Sequence, residues 1–461
     1  MMVNVSIPKV CLNEQRYILD VMLDEFLGLG FNVTVHDEPI IKFSMLGADT
    51  NLTVNADFFH KADENWLKKG SMPELPLHDW KTVQDGLNVS LVEDMLPVLY
   101  GHAGLVKEGN HWHLNLDVFG SAFFMLSRYE ELITQDRDEH DRFPASASVA
   151  FKANFLDRPI VNEYLEILWA CMHQLWPSLE RKKRRFRSLV SCDVDHPIDT
   201  AGYSLKRTVF RVGDKLLNDR NVPLAFLDAM NYVFKKFGSD KFDEYRNNIK
   251  WIMDVNDKET NRVAFFFIPQ QTSTSYESVH GFTEDKMRNL LTKIIQRGHE
   301  IGFHPGYETF RFPKNFRMSA DILKCVYHKL GVKHSGGRQH YLRYDASVTP
   351  KLWDDNGFTY DSSLGFADRA GFRCGVCYEY TMFDLTNRVP LNVKQRPLVA
   401  MDCSVISDGY EGLGYTKKAF ERFELLKGRC KQFDGDFTLL WHNSFFGNKN
   451  SKKFYLGLIP N

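Results

Sequence analysis

The sequence predicts an α/β fold. After residue 186, short apolar segments typical of strands alternate with segments in which apolar residues recur at helical spacing. The strand candidates are RSLVSC, VAFFFIP, HEIGFHP, FTYDSSL and DFTLLWH. Strands separated by helices form parallel β/α units, which close into a barrel or open into a doubly wound sheet. In both architectures the active site lies at the carboxyl ends of the strands.

Amphipathic segments between these strands are predicted helices. They are DEYRNNIKWIMD, TEDKMRNLLTKIIQRG, SADILKCVYHKLG, VTPKLWDDNG and TKKAFERFELLKGRCKQF. In the fourth, Thr349 and Pro350 provide a helix start and Gly357 a stop. Glycine ends helices readily because it adopts the left-handed conformation at little cost.

The first 180 residues are less informative, and we predict an accessory α/β domain there. The segment VNEYLEILWACM, residues 161–172, is a predicted amphipathic helix packed on a core. Arg128, Glu130 and Glu131 on one helix are interpreted as surface salt bridges. The basic run LERKKRRFR is interpreted as a solvated linker. The predicted domains are therefore residues 1–180 and 186–461.

Composition limits the possible partners and location. Lys and Arg number 58 against 59 Asp and Glu, so net charge attracts neither nucleic acid nor an anionic membrane. No apolar run approaches the length of a membrane span and no export leader is recognisable, so we expect a cytoplasmic protein without an integral membrane segment. The eight scattered cysteines are predicted to be reduced thiols. The oligomeric state is not predicted.

Acids and histidines directly follow the apolar segments. Asp193 comes directly after LVSC, with Asp195 two residues further on, and His304 comes after EIGF, Asp361 after FTY and His442 after FTLLW. A buried carboxylate needs a proton, a base or a metal. Asp195 and His304 are ligand types that bind Zn²⁺ or another divalent first-row metal, and Asp193 is then well placed to act as general base. Helix capping is the alternative role for the two aspartates.

The ordered motifs SCDVDH, VAFFFIP, RGHEIGFHPGYE, GGRQHYLR, YDSSLGF and LLWH resemble the polysaccharide deacetylase (NodB homology) family of carbohydrate esterases. The resemblance covers residues 186–447. DVFGSAFFMLSRYEE and RFPASASVAFKANFLDRPIVNEYL are similar to the N-terminal domain of a bacterial subgroup linked with surface-polysaccharide loci. The resemblance implies a distorted C-terminal (β/α) barrel of NodB type, preceded by an accessory α/β domain.

The resemblance implies a role for each matching residue. Asp193 would be the general base, and Asp195 and His304 would bind the metal. Arg338 would hold the base carboxylate, and the backbone N–H of Tyr341 would face the oxyanion.

The last two motifs carry the remaining implied roles. His442 matches the general acid. Asp361 would orient this histidine and raise its pKa. Leu440 would line the pocket for the acetyl methyl group.

The sequence departs from the family at one metal ligand. The second metal histidine of the family falls four residues after the first, where this chain has Glu308. Glu308 could replace it, His340 could serve from the position where the family has proline, or His196 could contribute. Alternatively, the site is weak and the protein catalytically silent.

These observations predict a hydrolase that depends on a divalent metal, with zinc favoured. It would remove an acetyl group, N-acetyl favoured, from a sugar or surface-polysaccharide precursor. The alternatives are a non-catalytic carbohydrate-binding or assembly protein and a barrel amidase acting on a small amide. Aromatic segments such as YETFRF favour stacking on a sugar ring, although the chain contains 36 phenylalanines and core packing explains many of them.

Overall fold

The computed structural model describes residues 2–217, 220–277, 282, 285–333, 335–446 and 449–459. The chain forms two compact units. Unit 1 contains residues 1–187 and 336–438, and unit 2 contains residues 188–335 and 439–461. The boundary between residues 187 and 188 directly follows the basic segment LERKKRRFR, which was predicted to be a linker. Residues 336–438 group with the N-terminal residues, so the compact units do not coincide with the predicted domains, and the division into 1–180 and 186–461 stays a prediction.

The strands are β1 Met2–Pro8, β2 Gly30–His36, β3 Ile40–Met45, β4 Asn51–Asn55, β5 His78–Trp80, β6 Leu96–Val98, β7 Gly101–Glu108, β8 His111–Leu116, β9 Arg187–Val194, β10 Ala264–Phe267, β11 Glu300–Phe303, β12 Tyr360–Asp361, β13 Tyr380–Asp384, β14 Val389–Gln395, β15 Ala400–Met401 and β16 Asp436–Leu440. The α-helices are α1 Leu12–Leu19, α2 Asp57–Asn65, α3 Val118–Leu126, α4 Glu130–Ile133, α5 Val149–Lys152, α6 Ile160–Leu175, α7 Leu205–Leu217, α8 Val222–Lys236, α9 Glu244–Lys258, α10 Asp285–Gln296, α11 Pro313–Leu330, α12 Thr349–Asp355, α13 Asp402–Ile406, α14 Lys417–Gln432 and α15 Lys449–Leu458.

Unit 1 contains a six-stranded mixed sheet in the order β2-β1-β3-β4-β8-β7. In β1 the side chains of Val3, Val5 and Ile7 alternate with more exposed residues and are fully buried, because successive side chains of a strand point to opposite faces. A second sheet of unit 1 has the order β12-β14-β13. The predicted helix at residues 161–172 is confirmed as α6.

Buried ion pairs connect the two chain segments of unit 1. Glu131 accepts hydrogen bonds from Arg128 (2.8 Å) and from two nitrogens of Arg373 (2.9 and 2.7 Å). These three side chains are at most 2% exposed. The interpretation of Arg128, Glu130 and Glu131 as surface salt bridges is therefore wrong. Arg373 lies 242 residues from Glu131 in the chain, so local sequence could not identify the pairing.

Unit 2 is built on parallel strands in the order β11-β10-β9. Every residue of β10 is buried, as is typical of a parallel strand covered on both faces. Residues 439–441 run beside β9, where the Oγ of Ser191 donates to the carbonyl of Leu439 and the N–H of Trp441 donates to the carbonyl of Ser191. The predicted parallel pairing is confirmed for β9, β10 and β11.

Each of the five helices predicted between residues 243 and 433 corresponds to an observed one, α9, α10, α11, α12 and α14. Thr283 and Glu284, the first two residues of the predicted second helix, lie outside the described residues. Helices α7 and α8 were not predicted. The mixed α/β class is confirmed, whereas closure into a barrel stays a prediction.

All eight cysteines are free thiols, as predicted. Among the described residues, no helix combines the length and the apolar character needed to cross a bilayer.

Candidate functional site

Asp193, Asp195 and His304 lie at the carboxyl ends of neighbouring strands in unit 2. Asp193 is the penultimate residue of β9 and pairs in register with Phe266 of β10. Asp195 follows β9 directly, two residues on, so its side chain leaves the backbone on the same side as that of Asp193. His304 follows β11, and its N–H donates to the carbonyl of Phe267 at 2.9 Å.

The side chains converge over the end of β10. Nε2 of His304 lies 3.3 Å from Oδ1 of Asp195 and 3.7 Å from Oδ2 of Asp193. Nε2 of His442 lies 3.9 Å from Oδ2 of Asp195. The side chains of His304 and Asp193 are at most 3% exposed, whereas those of Asp195 and His442 are 25% and 15% exposed. The cluster is thus buried on one side and accessible from the other.

Asp195 and His304 fit a divalent metal. Ligand atoms about 2.0–2.2 Å from a tetrahedral zinc ion are separated by about 3.3–3.5 Å. The observed 3.3 Å between Asp195 Oδ1 and His304 Nε2 lies in that range. One carboxylate oxygen and one imidazole nitrogen are also donors that zinc accepts together. Asp193 lies slightly farther from the imidazole, as expected of a group beside such an ion.

The segment after β16 is fixed against the loop after β9. The amide of Asn443 donates to the carbonyl of His196 at 2.9 Å, and the amide of Asn248 on α9 donates to the carbonyl of Asn443 at 3.0 Å. These bonds hold His442, which precedes Asn443, next to the cluster. Leu440, predicted to line the acetyl pocket, is fully buried.

A buried glutamate that the sequence analysis missed supports the loop after His304. The carboxylate of Glu277 accepts hydrogen bonds from the backbone N–H groups of Thr272, Ser273 and Tyr307. A Cβ on Gly306 would come within 2.5 Å of Thr272 Oγ1 and 2.7 Å of Glu277 Oε1. Glycine therefore permits this close approach. Glu277 lies outside every motif that resembles the deacetylase family, so no sequence signal identified it.

Glu308 and His196 are the candidate ligands of unit 2 whose assignment is open. The N–H of Glu308 donates to Thr272 Oγ1 at 3.0 Å. This bond fixes the backbone of Glu308 to the segment that contains Thr272. Within the described ranges, Glu308 forms no three-residue group with Asp195 and His304 in which all ligand atoms lie within 4.8 Å of one another. The His196 ring stacks on Tyr245, with ring centroids 5.5 Å apart.

The other predicted site residues, Arg338, His340, Tyr341 and Asp361, belong to unit 1. Arg338 is 1% exposed, and its guanidinium donates to the carbonyl of Ser362 (2.9 Å) and to the Ser362 hydroxyl (3.0 Å). Gly336 lies two residues before Arg338. A Cβ added at Gly336 would lie 2.3 Å from the ring of Tyr360. The glycine at position 336 thus lets this segment pass close to β12.

Asp361 ends β12 in a fully buried position. Its Oδ1 accepts hydrogen bonds from the N–H of Ser363 (3.0 Å) and from the Ser363 hydroxyl. Burial raises the pKa of the Asp361 carboxyl to about 7, although the Ser363 hydrogen bonds and the charges of Arg338 and Arg373 act in the opposite direction. Asp361 therefore titrates near neutral pH rather than acting as a permanent anion.

Tyr341 has an unusual backbone conformation. Its φ is 62° and its ψ 12°, which is the left-handed region that non-glycine residues seldom adopt. Such strain is concentrated at functional sites, where the surrounding structure maintains it. The side chain of Arg142 donates to the carbonyl of Tyr341 at 3.2 Å and helps to hold this conformation. The neighbouring His340 is buried.

A family model described as a family of unknown function, DUF7033, matches residues 3–177, which is less than half of the chain. No curated protein matches the chain. Two crystal structures similar to it, from Mycobacterium smegmatis and Pseudomonas aeruginosa PAO1, belong to proteins provisionally assigned as polysaccharide deacetylases.

Both structural likenesses are distant. The first structure is 16% identical to this chain with a TM-score of 0.39, and the likeness covers 60% of this chain and 84% of that one. The second is 12% identical with a TM-score of 0.32, covering 46% of this chain and 65% of that one. Likeness at this level establishes neither the family nor the activity of the chain.

Proposed function

We propose that this chain is a divalent-metal-dependent hydrolase that removes an acetyl group, N-acetyl favoured, from a sugar or surface-polysaccharide precursor. The observation that carries the proposal is the 3.3 Å separation of Asp195 Oδ1 and His304 Nε2, with a further carboxylate and a further imidazole beside them. The ordered motifs of the sequence, which resemble those of polysaccharide deacetylases, supply the substrate class. The eight free thiols support a reducing compartment, and we place the activity in the cytoplasm.

Asp195 and His304 would hold the metal, with zinc favoured. When bound, a divalent metal supplies Lewis-acid polarisation of the acyl carbonyl and acidifies water. Glu308 or His340 would complete the ligand set, and His196 is a further candidate. If Glu308 is a ligand, the set contains two carboxylates. Such a set would favour a harder metal ion than a set rich in histidine would.

Asp193 and His442 would move the protons. Asp193 would accept a proton from the attacking water at its carboxylate oxygen, as a general base must lie within reach of the proton that it removes. His442 would donate a proton to the departing amine nitrogen, which is a poor leaving group unless protonated. The partial exposure of His442 and Asp195 would let a substrate enter on the open side of the cluster.

The remaining predicted site residues would act as positioning groups. Arg338 would hold the carboxylate of the base, and Asp361 would orient the imidazole of His442. The N–H of Tyr341 would donate to the oxyanion, and its left-handed backbone conformation supports a specialised role for this peptide group. Leu440 would contact the acetyl methyl group.

The test combines metal analysis with acetate release. The purified chain should contain close to one equivalent of a divalent metal and should release acetate from a panel of acetylated sugar nucleotides and lipid-linked sugars. His304→Ala should lose both properties. His328→Ala replaces an exposed histidine of the same unit and is the matched control, which should keep both.

The outcomes distinguish the alternatives. Absence of metal from the wild-type chain, even after incubation with zinc, would contradict the proposal and favour a non-catalytic carbohydrate-binding or assembly protein. Bound metal with turnover of small amides but not of acetylated sugars would instead favour a barrel amidase.

A further inference from the structure

Helices α7 and α8 concentrate exposed apolar side chains. Eleven of the 25 large apolar side chains that are exposed in the described part of the chain lie between Tyr203 and Phe237. Phe210 is 76% exposed, Leu217 79% and Phe237 84%. Globular proteins rarely expose so many apolar side chains on one surface unless that surface binds a protein, a membrane or a ligand. We call the following set the α7–α8 apolar surface: Val209, Phe210, Leu217, Phe226, Val233 and Phe237.

The two helices turn their polar faces inward. Arg211 and Lys215 of α7 both contact the buried Asp228 of α8, the latter at 2.9 Å. Lys235 of α8 is buried against Asp243 at 2.7 Å. A surface helix of a globular protein normally does the reverse, with its apolar stripe on the core. Here ion pairs hold the helices in place, and the apolar residues stay in contact with solvent.

The exposed apolar residues follow helical spacing. On α7, Phe210 and Leu217 lie seven residues apart, and on α8 Phe226 and Val233 do so as well. Residues seven apart lie on the same face of a helix. Phe210 and Leu217 therefore share one exposed face of α7, which also carries Asp214, and Phe226 and Val233 share one exposed face of α8.

Basic side chains accompany the apolar surface. The exposed cations from residue 203 to 241 are Lys206, Arg207, Arg220, Lys236 and Lys241. Asp214 is the one exposed acid among the described residues of that range. The whole chain has a net charge of −1, so its overall balance conceals this local excess of positive charge.

We propose that the α7–α8 apolar surface docks onto an anionic lipid bilayer. Its aromatic and aliphatic side chains enter the boundary between headgroups and acyl chains, and the basic side chains contact lipid phosphates. Amphipathic helices with aromatic and aliphatic residues on one face and lysine or arginine beside them bind membranes in this way. The proposal goes beyond the hydrolase activity and does not depend on it.

A second copy of the chain fits this surface less well than a bilayer does. In a two-fold dimer the same patch of both subunits meets itself, so the basic side chains of one copy approach those of the other. Like charges brought together across an interface oppose association. Lipid phosphates carry the complementary charge.

Co-sedimentation with vesicles tests the proposal on the full chain. The wild-type chain should bind vesicles of phosphatidylcholine mixed with phosphatidylglycerol, more weakly those of phosphatidylcholine alone, and less at high salt. Phe210→Gln, Leu217→Gln and Phe226→Gln should each lower the partition about tenfold, the effect of withdrawing one large apolar side chain from the bilayer. Leu46→Gln alters a 95% exposed residue elsewhere and should bind like wild type.

Charge variants and the oligomeric state complete the test. Lys206→Gln combined with Lys236→Gln should reduce the preference for phosphatidylglycerol and leave binding to phosphatidylcholine nearly unchanged. Circular dichroism of each variant should match wild type, because all of these side chains are exposed. Absence of wild-type binding, or equal binding by the glutamine variants, would overturn the proposal. A wild-type dimer that Phe210→Gln converts to a monomer, without vesicle binding, would assign the surface to self-association instead.

Discussion

Oδ1 of Asp195 and Nε2 of His304 lie 3.3 Å apart although their strands are not neighbours. Strand β10 separates β9 from β11, so the two backbones are about 9.5 Å apart at the usual spacing of strands. Both side chains must therefore lean across the end of β10. A close approach of an acid and an imidazole from separate strands requires the parallel register to align both strand ends, and the observed pairing does so.

Asp193 and His304 should differ in their effect on metal. His304→Ala should lose metal and turnover together, since one of two closely spaced ligand atoms is removed. Asp193→Asn should retain metal while acetate release falls by about 10²–10⁴-fold, the usual contribution of a positioned acid or base. Metal content by mass spectrometry and acetate release would be measured on the same preparation. Loss of metal in Asp193→Asn would show that Asp193 is a ligand rather than the base.

His442→Ala should affect amides more than esters. An amine must be protonated as it leaves, whereas an alkoxide leaves more readily without a proton. On N-acetyl substrates the variant should lose about 10²–10⁴-fold in kcat. Matched O-acetyl substrates should show a smaller loss, and equal losses on both would remove His442 from the role of general acid.

Glu308 and His340 can be separated by metal occupancy. If Glu308 is the third ligand, Glu308→Ala should lower occupancy, and Glu308→His should restore it with a preference moved toward Zn²⁺, because imidazole suits zinc better than a second carboxylate does. Equilibrium dialysis with Zn²⁺ and Mn²⁺ would measure both effects. Unchanged occupancy in Glu308→Ala, together with loss in His340→Ala, would assign the third position to His340.

Much of unit 2 could be predicted from local patterns. Strands β9, β10 and β11 each contain a short apolar segment, and the helices between them have clear periodicity, so their existence and order followed from the sequence. The convergence of Asp195 and His304 followed from the rule that carboxyl ends of parallel strands meet at one edge. These features depend on short segments, and the residue pattern within each segment is enough to predict its secondary structure.

Other features depend on residues far apart in the chain. Arg128 and Glu131 looked like a surface pair because nothing near them in sequence indicates Arg373. Glu277 supports the loop after His304 from a segment with no motif. Helices α7 and α8 have their apolar stripes on the solvent side, which a reading based on burial of apolar residues cannot anticipate.

The Glu131 pair should contribute strongly to stability. Burial alone would raise the pKa of Glu131, but the charges of Arg373 and Arg128 outweigh it and lower the pKa to about 2. Glu131→Gln leaves the buried guanidinium of Arg373 without its carboxylate and leaves Arg128 paired with Glu130 alone, so the free energy of unfolding should fall by about 3–5 kcal/mol. Urea denaturation would measure this. The Glu131 contribution is present at neutral pH and should be lost as pH falls toward 2.

The matched control for that variant is Lys351→Gln, which removes an exposed ion pair with Asp355 in the same unit. Exposed pairs contribute about 0–1 kcal/mol, so its free energy of unfolding should stay close to that of wild type. A loss in Glu131→Gln no larger than in Lys351→Gln would contradict the stabilising role of the buried network.

Asp361 should make stability depend on pH in the opposite direction. Burial raises its pKa from 3.8 to about 7, so the folded chain binds the proton more tightly than the unfolded chain. The resulting stabilisation is fully present below pH 3.8 and is lost as pH rises through about 7. Asp361→Asn is neutral at all pH values and keeps an oxygen that can accept from Ser363. The free energy of unfolding of wild type minus that of Asp361→Asn should therefore fall between about pH 4 and pH 8 in urea titrations. A difference that stays constant or rises with pH would show that the Asp361 carboxyl is ionised in the folded chain at neutral pH.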